Sequence, residues 1–411
     1  MKKTSLLFLA LATVLVVDTQ AQVARVITLA DSLVGGVGGV AVDRMGNIFS
    51  ADFMDSVWRI RPDGRVSKFA SGFYGASGNA FDSKGTLYQA SFFGHYLSRV
   101  DRHGNHEVWV DEGLNGPVGV AIKSDGSVFV NNCSGNTVSR IGSDGVATMF
   151  ASGNLFSCPN GITVGPDSAL YVVNFRDGRM IRIDESGRAE LFATVPGGGN
   201  GHVAVARGSF YVTAFQSNRI YQVTMDGSVT LVAGTGQFGE QDGAPLEALF
   251  TFPNGIASNA AGDRLIVNDY INRTPPGVDV PPVPLANIRL IKLESISDVI
   301  TGALRSGGIT DMEVAYRAFK SDPSTATLFT EREVNGYGYA MMNQGQLDVA
   351  IRLFELNAES YPNSFNVWDS LAESYMNKGR TREAIANYEK SLSINPGNQN
   401  AHDMIAKIKA K

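Results

Sequence analysis

Residues 39–70 read Gly39-Val-Ala-Val-Asp-Arg-Met-Gly-Asn-Ile-Phe-Ser-Ala-Asp-Phe-Met-Asp-Ser-Val-Trp-Arg-Ile-Arg-Pro-Asp-Gly-Arg-Val-Ser-Lys-Phe-Ala70, and this stretch decides the fold. Its apolar residues alternate in four short runs, separated by Met45-Gly46-Asn47, a polar gap and Pro62-Asp63-Gly64. Gly-Asn and Asp-Gly supply the positive φ angles that hairpin turns require, so the stretch predicts four short antiparallel strands. The pattern recurs. Further copies start at Gly78-Asn-Ala-Phe-Asp82, Gly119-Val-Ala-Ile-Lys123, Gly161-Ile-Thr-Val-Gly165, Gly201-His-Val-Ala-Val205 and Gly255-Ile-Ala-Ser-Asn259. The first five starts are 39, 41, 42 and 40 residues apart. Turn glycines at 64, 104, 145, 187 and 227 keep an independent ruler of 40, 41, 42 and 40.

Four strands every ~40 residues is the signature of a propeller blade, and six copies predict six blades. The sixth copy lacks its outer strand. Residues 23–30 match the outer-strand segments, with Arg25-Val26 lying 40 residues before Arg65-Val66. A ring must close or expose a strand edge, so the N-terminal strand is expected to complete the last blade.

The blade starts and the run Ala233-Gly-Thr-Gly-Gln-Phe-Gly-Glu-Gln-Asp-Gly-Ala-Pro-Leu-Glu-Ala-Leu-Phe-Thr-Phe-Pro-Asn-Gly-Ile-Ala257 resemble an NHL-repeat propeller. They also resemble the six-bladed gluconolactonase and senescence-marker-protein family. That resemblance implies a ring of residues just before the first strands holding a divalent cation through a Glu and an Asp. The residues at those places are Gly38, Ser77, Val118, Asn160, Asn200 and Asn254, with neither carboxylate among them. Asn160 and Asn254, each in a Pro-Asn-Gly, are similar to the family's Asn ligand.

The last hundred residues follow a different period. Gly345 and Gly379, Ala350 and Ala384, Phe354 and Tyr388, and Pro362 and Pro396 are each 34 apart, the spacing of paired tetratricopeptide helices. Trp368, Leu371, Tyr375, Gly379, Ala384, Tyr388 and Pro396 fit the second copy. Residues 312–319 add a helix to the stack, and residues 402–411 form a capping helix. The tail also resembles the extension of some exported serine hydrolases, through Glu333-Val-Asn-Gly-Tyr-Gly-Tyr339 and Asp369-Ser-Leu-Ala-Glu-Ser-Tyr375, but the chain has no Ser-x-x-Lys or Gly-x-Ser-x-Gly.

Lys2 and Lys3, the apolar run 6–17 and Thr19-Gln20-Ala21 read as a secretory signal cleaved after Ala21, and the run is too short to span a bilayer. The expected organisation is a signal peptide at 1–21, an all-β six-bladed propeller at 22–296, a helical linker at 297–330 and all-α tetratricopeptide repeats at 331–411. The mature protein is expected to be periplasmic or extracellular, without a membrane span. With 40 acidic and 35 basic residues among 411, the net charge of −5 excludes a general nucleic-acid binder. Of the 45 glycines, 37 precede residue 297, so the excess belongs to the propeller.

Loops that begin first strands and loops that leave second strands share one face. Ligand contacts are expected there from Asn160, Asn200, His202 and Asn254. His202 follows Asn200-Gly201 on that face and could act as a general base. Asp52 and Asp269, from blades that ring closure makes neighbours, could join Asn254 around Ca²⁺ or Zn²⁺. Asn and Asp also cap turns, which is the competing role for all three. Cys133 and Cys158 fall on this face in adjacent blades, so a disulfide is expected in an exported protein. A proline-rich insertion at 271–285 is placed over the face as a lid, docking surface or spacer. Gly234-Thr-Gly-Gln-Phe-Gly239 spells the dinucleotide fingerprint but lacks its βαβ context. Arg59, Arg99, Arg140 and Arg182 repeat in the third strands as equivalent outer positions. The sequence therefore points to an exported binding or scaffold protein, with a small ligand or protein on the propeller face and a protein or peptide on the tail. The alternative is a metal-dependent lactone or ester hydrolase.

Overall fold

The structure is a computed structural model that describes residues 25–271, 284–293, 295–321 and 330–410. The signal segment and most of the proline-rich insertion, residues 272–283, lie outside the described residues. Six four-stranded antiparallel sheets form the propeller. Five are consecutive in sequence, with innermost strands Val40–Val42, Ala76–Phe81, Pro117–Ile122, Pro159–Val164 and Val203–Ala206. The sixth combines Ile256–Ser258, Arg264–Ile271 and Leu285–Lys292 with the N-terminal strand Val26–Val34 as its outer member. Val26 pairs with Ile291 and Thr28 with Arg289, so the ring closes as the sequence register predicts.

The blade-start glycines owe their place to packing between blades, not to turn geometry. A Cβ on Gly78 would lie 2.1 Å from the Val118 carbonyl oxygen, and one on Gly119 would lie 2.2 Å from that of Asn160. Only a residue without a side chain lets adjacent innermost strands approach this closely. The periodic turn glycines do the other job, all with φ between 82° and 87°.

The core is distributed as slabs between neighbouring blades, each filled by alternating Val, Ile, Leu and aromatic residues such as Phe129, Ile162, Leu170, Val172 and Ile181 between blades three and four. Polar side chains staple the blades at the centre. Ser77 donates to Pro117 O (2.8 Å), Asn160 to Asn200 O (3.3 Å) and Asn254 to Val37 O (2.6 Å), each reaching the next blade.

Six helices follow: α1 (Ile296–Ser321), α2 (Glu331–Asn343), α3 (Leu347–Ser360), α4 (Phe365–Asn377), α5 (Thr381–Ile394) and α6 (Gln399–Lys409). Within the span expected as a helical linker, α1 packs into the helical core. Ile296, Ile300, Met312, Tyr316 and Phe319 of α1 are buried with Val334, Phe354 and Leu371. Non-helical φ/ψ at Gly307 and Gly308 kinks α1 between the two packed halves. The small residues of the 34-residue pattern sit where helices meet, with Ala350 and Ala384 both fully buried.

Candidate functional site

The innermost strands converge on a cavity of about 190 Å³ at the face predicted to carry function. Two rings of side chains build it. The upper ring lies at the ends of the second strands: Phe53, Phe92, Cys133, Phe175 and Phe215 come one or two residues after theirs, and Tyr270 is the next-to-last residue of its own. Five are aromatic, and blade three contributes instead the disulfide Cys133–Cys158, which ties it to the start of blade four. The lower ring lies at the beginnings of the first strands: Ser77, Val118 and Asn160 are second residues of theirs, and Gly38, His202 and Asn254 come one or two residues before theirs.

The aromatic ring continues outward. Phe53 lies 5.6 Å from Phe92, and Tyr74 and Phe93 extend that wall (5.5 Å) into solvent. Opposite, Phe175, Phe215, Phe252 and Tyr270 form a chain with ring centroids 5.2, 5.0 and 6.5 Å apart. Such edge-on and offset contacts hold the rings in fixed orientations. Among the described residues no charged side chain lines the cavity.

The lower ring is polar and neutral. His202 is buried, its backbone N–H donates to Asn254 O (2.9 Å), and its Nε2 has no hydrogen-bond partner. Burial alone lowers its imidazole to about 4, so the ring carries no charge at neutral pH. Asn254 donates to Val37 O and leaves its Oδ1 buried and unpartnered. Burial also pushes the Tyr270 phenol up, keeping it protonated.

These positions place the candidates individually. Asn160, His202 and Asn254 line the cavity, while Asn200 does not. Asn200 is fully buried between blades four and five, its carbonyl accepting from Asn160, and His202 occupies the blade-five position of the ring. Two residues of offset in the blade-five connection account for the exchange.

Of the expected cation cluster of Asp52, Asp269 and Asn254, both carboxylates carry other hydrogen bonds. Asp52 accepts the N–H of Met54 (2.8 Å) and Ser56 (2.9 Å), a turn cap. Asp269 accepts from the N–H of Thr251 and from Arg289 Nη1, both at 3.2 Å. Arg289 is fully buried and also donates to Asp242 (2.8 Å), which accepts from Thr28 on the closing strand. Asp269 therefore belongs to the clasp that holds the ring shut. Burial raises its carboxyl to about 7 against the pull of Arg289. Among the described residues no group of three or more His, Cys, Asp or Glu side chains is placed to hold a metal ion. The sequence reading missed the aromatic ring, although its signal was present: residues 53, 92, 133, 175 and 215 keep the same spacing of 39, 41, 42 and 40.

Residues 46–237 match the virginiamycin B lyase family, and residues 365–398 match the tetratricopeptide repeat. The chain is a six-bladed propeller joined to tetratricopeptide repeats. The lyase-family match to this propeller–repeat chain spans blades one to five. Three solved structures show the same propeller fold. A Bacteroides thetaiotaomicron protein of unknown function is 16% identical, with a TM-score of 0.54 over 66% of this chain and 76% of its own. An auxiliary nutrient binding protein from Bacteroides ovatus is 14% identical, with a TM-score of 0.53 over 66% and 77%. A gluconolactonase from Xanthomonas campestris is 18% identical, with a TM-score of 0.50 over 65% and 90%. No curated protein matches the chain. Among the described residues no helix is long and apolar enough to cross a membrane.

Proposed function

We propose that this chain is an exported binding protein: its propeller mouth takes an uncharged, largely apolar ligand and its helical repeats engage a protein partner. One observation carries the reading of the mouth. The cavity is walled by five aromatic side chains and a disulfide over a floor of neutral amides, a hydroxyl and an uncharged imidazole. Such a site gains from burying apolar surface and aligns its ligand with a few hydrogen bonds, while a charged ligand would lose hydration without gaining a counter-ion. The Cys133–Cys158 disulfide supports export, since such bonds persist in oxidising compartments. The repeat match supports a protein partner.

The match to a lyase family and the likeness to a gluconolactonase raise a catalytic reading, which the same geometry disfavours. A proton acceptor works best with a pKa near the working pH, and His202 lies well below it. The two carboxylates nearest the mouth in sequence are a turn cap and an ion pair of the closing clasp. The test is a lactone and ester panel assayed with the mature protein in added Ca²⁺ or Zn²⁺. The expected result is no metal-dependent turnover. Stoichiometric metal with turnover abolished by Asp269→Asn would overturn the proposal.

A further inference from the structure

The face opposite the mouth carries a second site. In blade four, Arg182 of the third strand donates to Asp167 (2.9 Å) and Glu190 (3.2 Å). Asp167 lies in the turn between the first and second strands, 15 residues upstream. The residue at this place is Asp125 for Arg140 of blade three, but Lys84 for Arg99 of blade two. Arg140 donates to Ser127 Oγ (3.2 Å) and makes no ion pair with Asp125 among the described residues, while in blade two a cation stands at this place. Glu107 pairs across the strands from Arg99, as Glu190 does from Arg182, yet Arg99 makes no ion pair among the described residues. Its guanidinium lies instead over Trp109, 3.7 Å from the ring centroid, and its Nε is buried without a hydrogen-bond partner.

Lys84, Arg99, Lys123 and Arg140 line one cleft of about 690 Å³ between blades two and three. Three carboxylates line it as well, and each accepts within its own turn through one oxygen. Asp82 accepts the N–H of Lys84 (2.8 Å) and Thr86 (2.9 Å), Asp125 that of Ser127 (2.9 Å) and Asp144 that of Val146 (3.1 Å). We propose that this cleft binds an oxyanion, a carboxylate, sulfate or phosphate group, between Lys84 and Arg99. Stacking on Trp109 fixes the guanidinium plane, so its donors are set in the fork that two oxygens of one group require. Lys84 adds a mobile ammonium from the neighbouring turn. The site is independent of the mouth, which lies at the other end of the blades.

The experiment titrates the mature chain, in a Trp58→Phe, Trp368→Phe background that leaves Trp109 as the reporter, with glucuronate, sulfate and phosphate at low ionic strength. Saturable change in Trp109 fluorescence is expected with at least one of them. Inorganic ions alone would identify the free oxyanion as ligand, and glucuronate alone a group carried on a sugar ring. Lys84→Asp installs the carboxylate that blade four has here. It should preserve the thermal midpoint and lower affinity at least about tenfold, the scale of one charge-assisted hydrogen bond. Lys84→Gln gives the same comparison should the first variant fail to fold. No saturation with any of the three ions overturns the proposal. So does saturation that neither variant weakens, since that is diffuse counter-ion accumulation.

Discussion

The two ends of the propeller differ in what they leave unpaired. At the mouth, the groups without partners are neutral: His202 Nε2 and Asn254 Oδ1 beneath the aromatic ring. At the opposite end the buried Nε atoms of Arg59 and Arg99 have no partner, and Arg99 lies in a cleft with three other cations and three carboxylates. The difference follows from how each end is built. Mouth residues are set by close backbone approach at the blade centre, where Gly78 and Gly119 exclude side chains and polar groups serve as staples. Turn residues at the far end lie outside that close backbone approach, so Asp167 in one blade and Lys84 in another are both accommodated. Constraint makes the mouth uniform and neutral, and its absence lets the other face vary in charge.

The largest expected effect comes from breaking the ring that both ends depend on. Arg289→Met leaves Asp269 buried without its counter-ion and releases Asp242 from the clasp on the closing strand. A loss of about 3–5 kcal/mol is expected, measured by urea unfolding followed through the propeller signal. Unchanged stability would mean that the strand pairing of Val26–Val34 closes the ring unaided.

Acidification sharpens the contrast next. The folded pKa of His202 lies near 4 and its unfolded value near 6.5, so its contribution is intact above pH 6.5 and lost as pH falls through 4. The loss amounts to about 3 kcal/mol. Asp269, raised to about 7, acts oppositely: its contribution is full below its ordinary range and lost as pH rises through 7. Unfolding free energies of the wild type and His202→Asn between pH 7 and 4 separate the two, and the variant should lose about 3 kcal/mol less. Parallel curves would place the imidazole in contact with water.

Smaller effects concern the surfaces. Phe215→Ala removes the ring that links Phe175 to Phe252, and should weaken a neutral aromatic ligand by about 1 kcal/mol, roughly fivefold, with little change in fold. At the opposite face, Lys84→Asp should add no more than about 1 kcal/mol of stability in thermal unfolding, since exposed ion pairs contribute little.

The fold was legible because its determinants are periodic and local. The 40-residue ruler gave the blades, and Arg25-Val26 at the same interval before Arg65-Val66 gave the closure that the pairing of Val26 with Ile291 displays. The 34-residue ruler gave the helices, although the kinked α1 joins their core more fully than its sequence suggests. The site was less legible. Asp269 has its partner in Arg289, 20 residues on and across a sheet, so its engagement follows from register between strands and not from any nearby motif. His202 replaces Asn200 through a two-residue offset that periodicity alone does not register. The aromatic ring was readable on the blade ruler, but a search for carboxylates passes over phenylalanines.

The central claim is that the mouth selects for neutrality as well as apolar surface. It is tested most directly by isothermal titration of the mature protein with 2-naphthol and 2-naphthoate, a matched neutral and anionic pair, on the wild type and Phe215→Ala. Saturable binding of naphthol that Phe215→Ala weakens, with naphthoate at least about tenfold poorer at the mouth, is the predicted result. Equal binding of the two, or naphthol binding indifferent to Phe215→Ala, would contradict it.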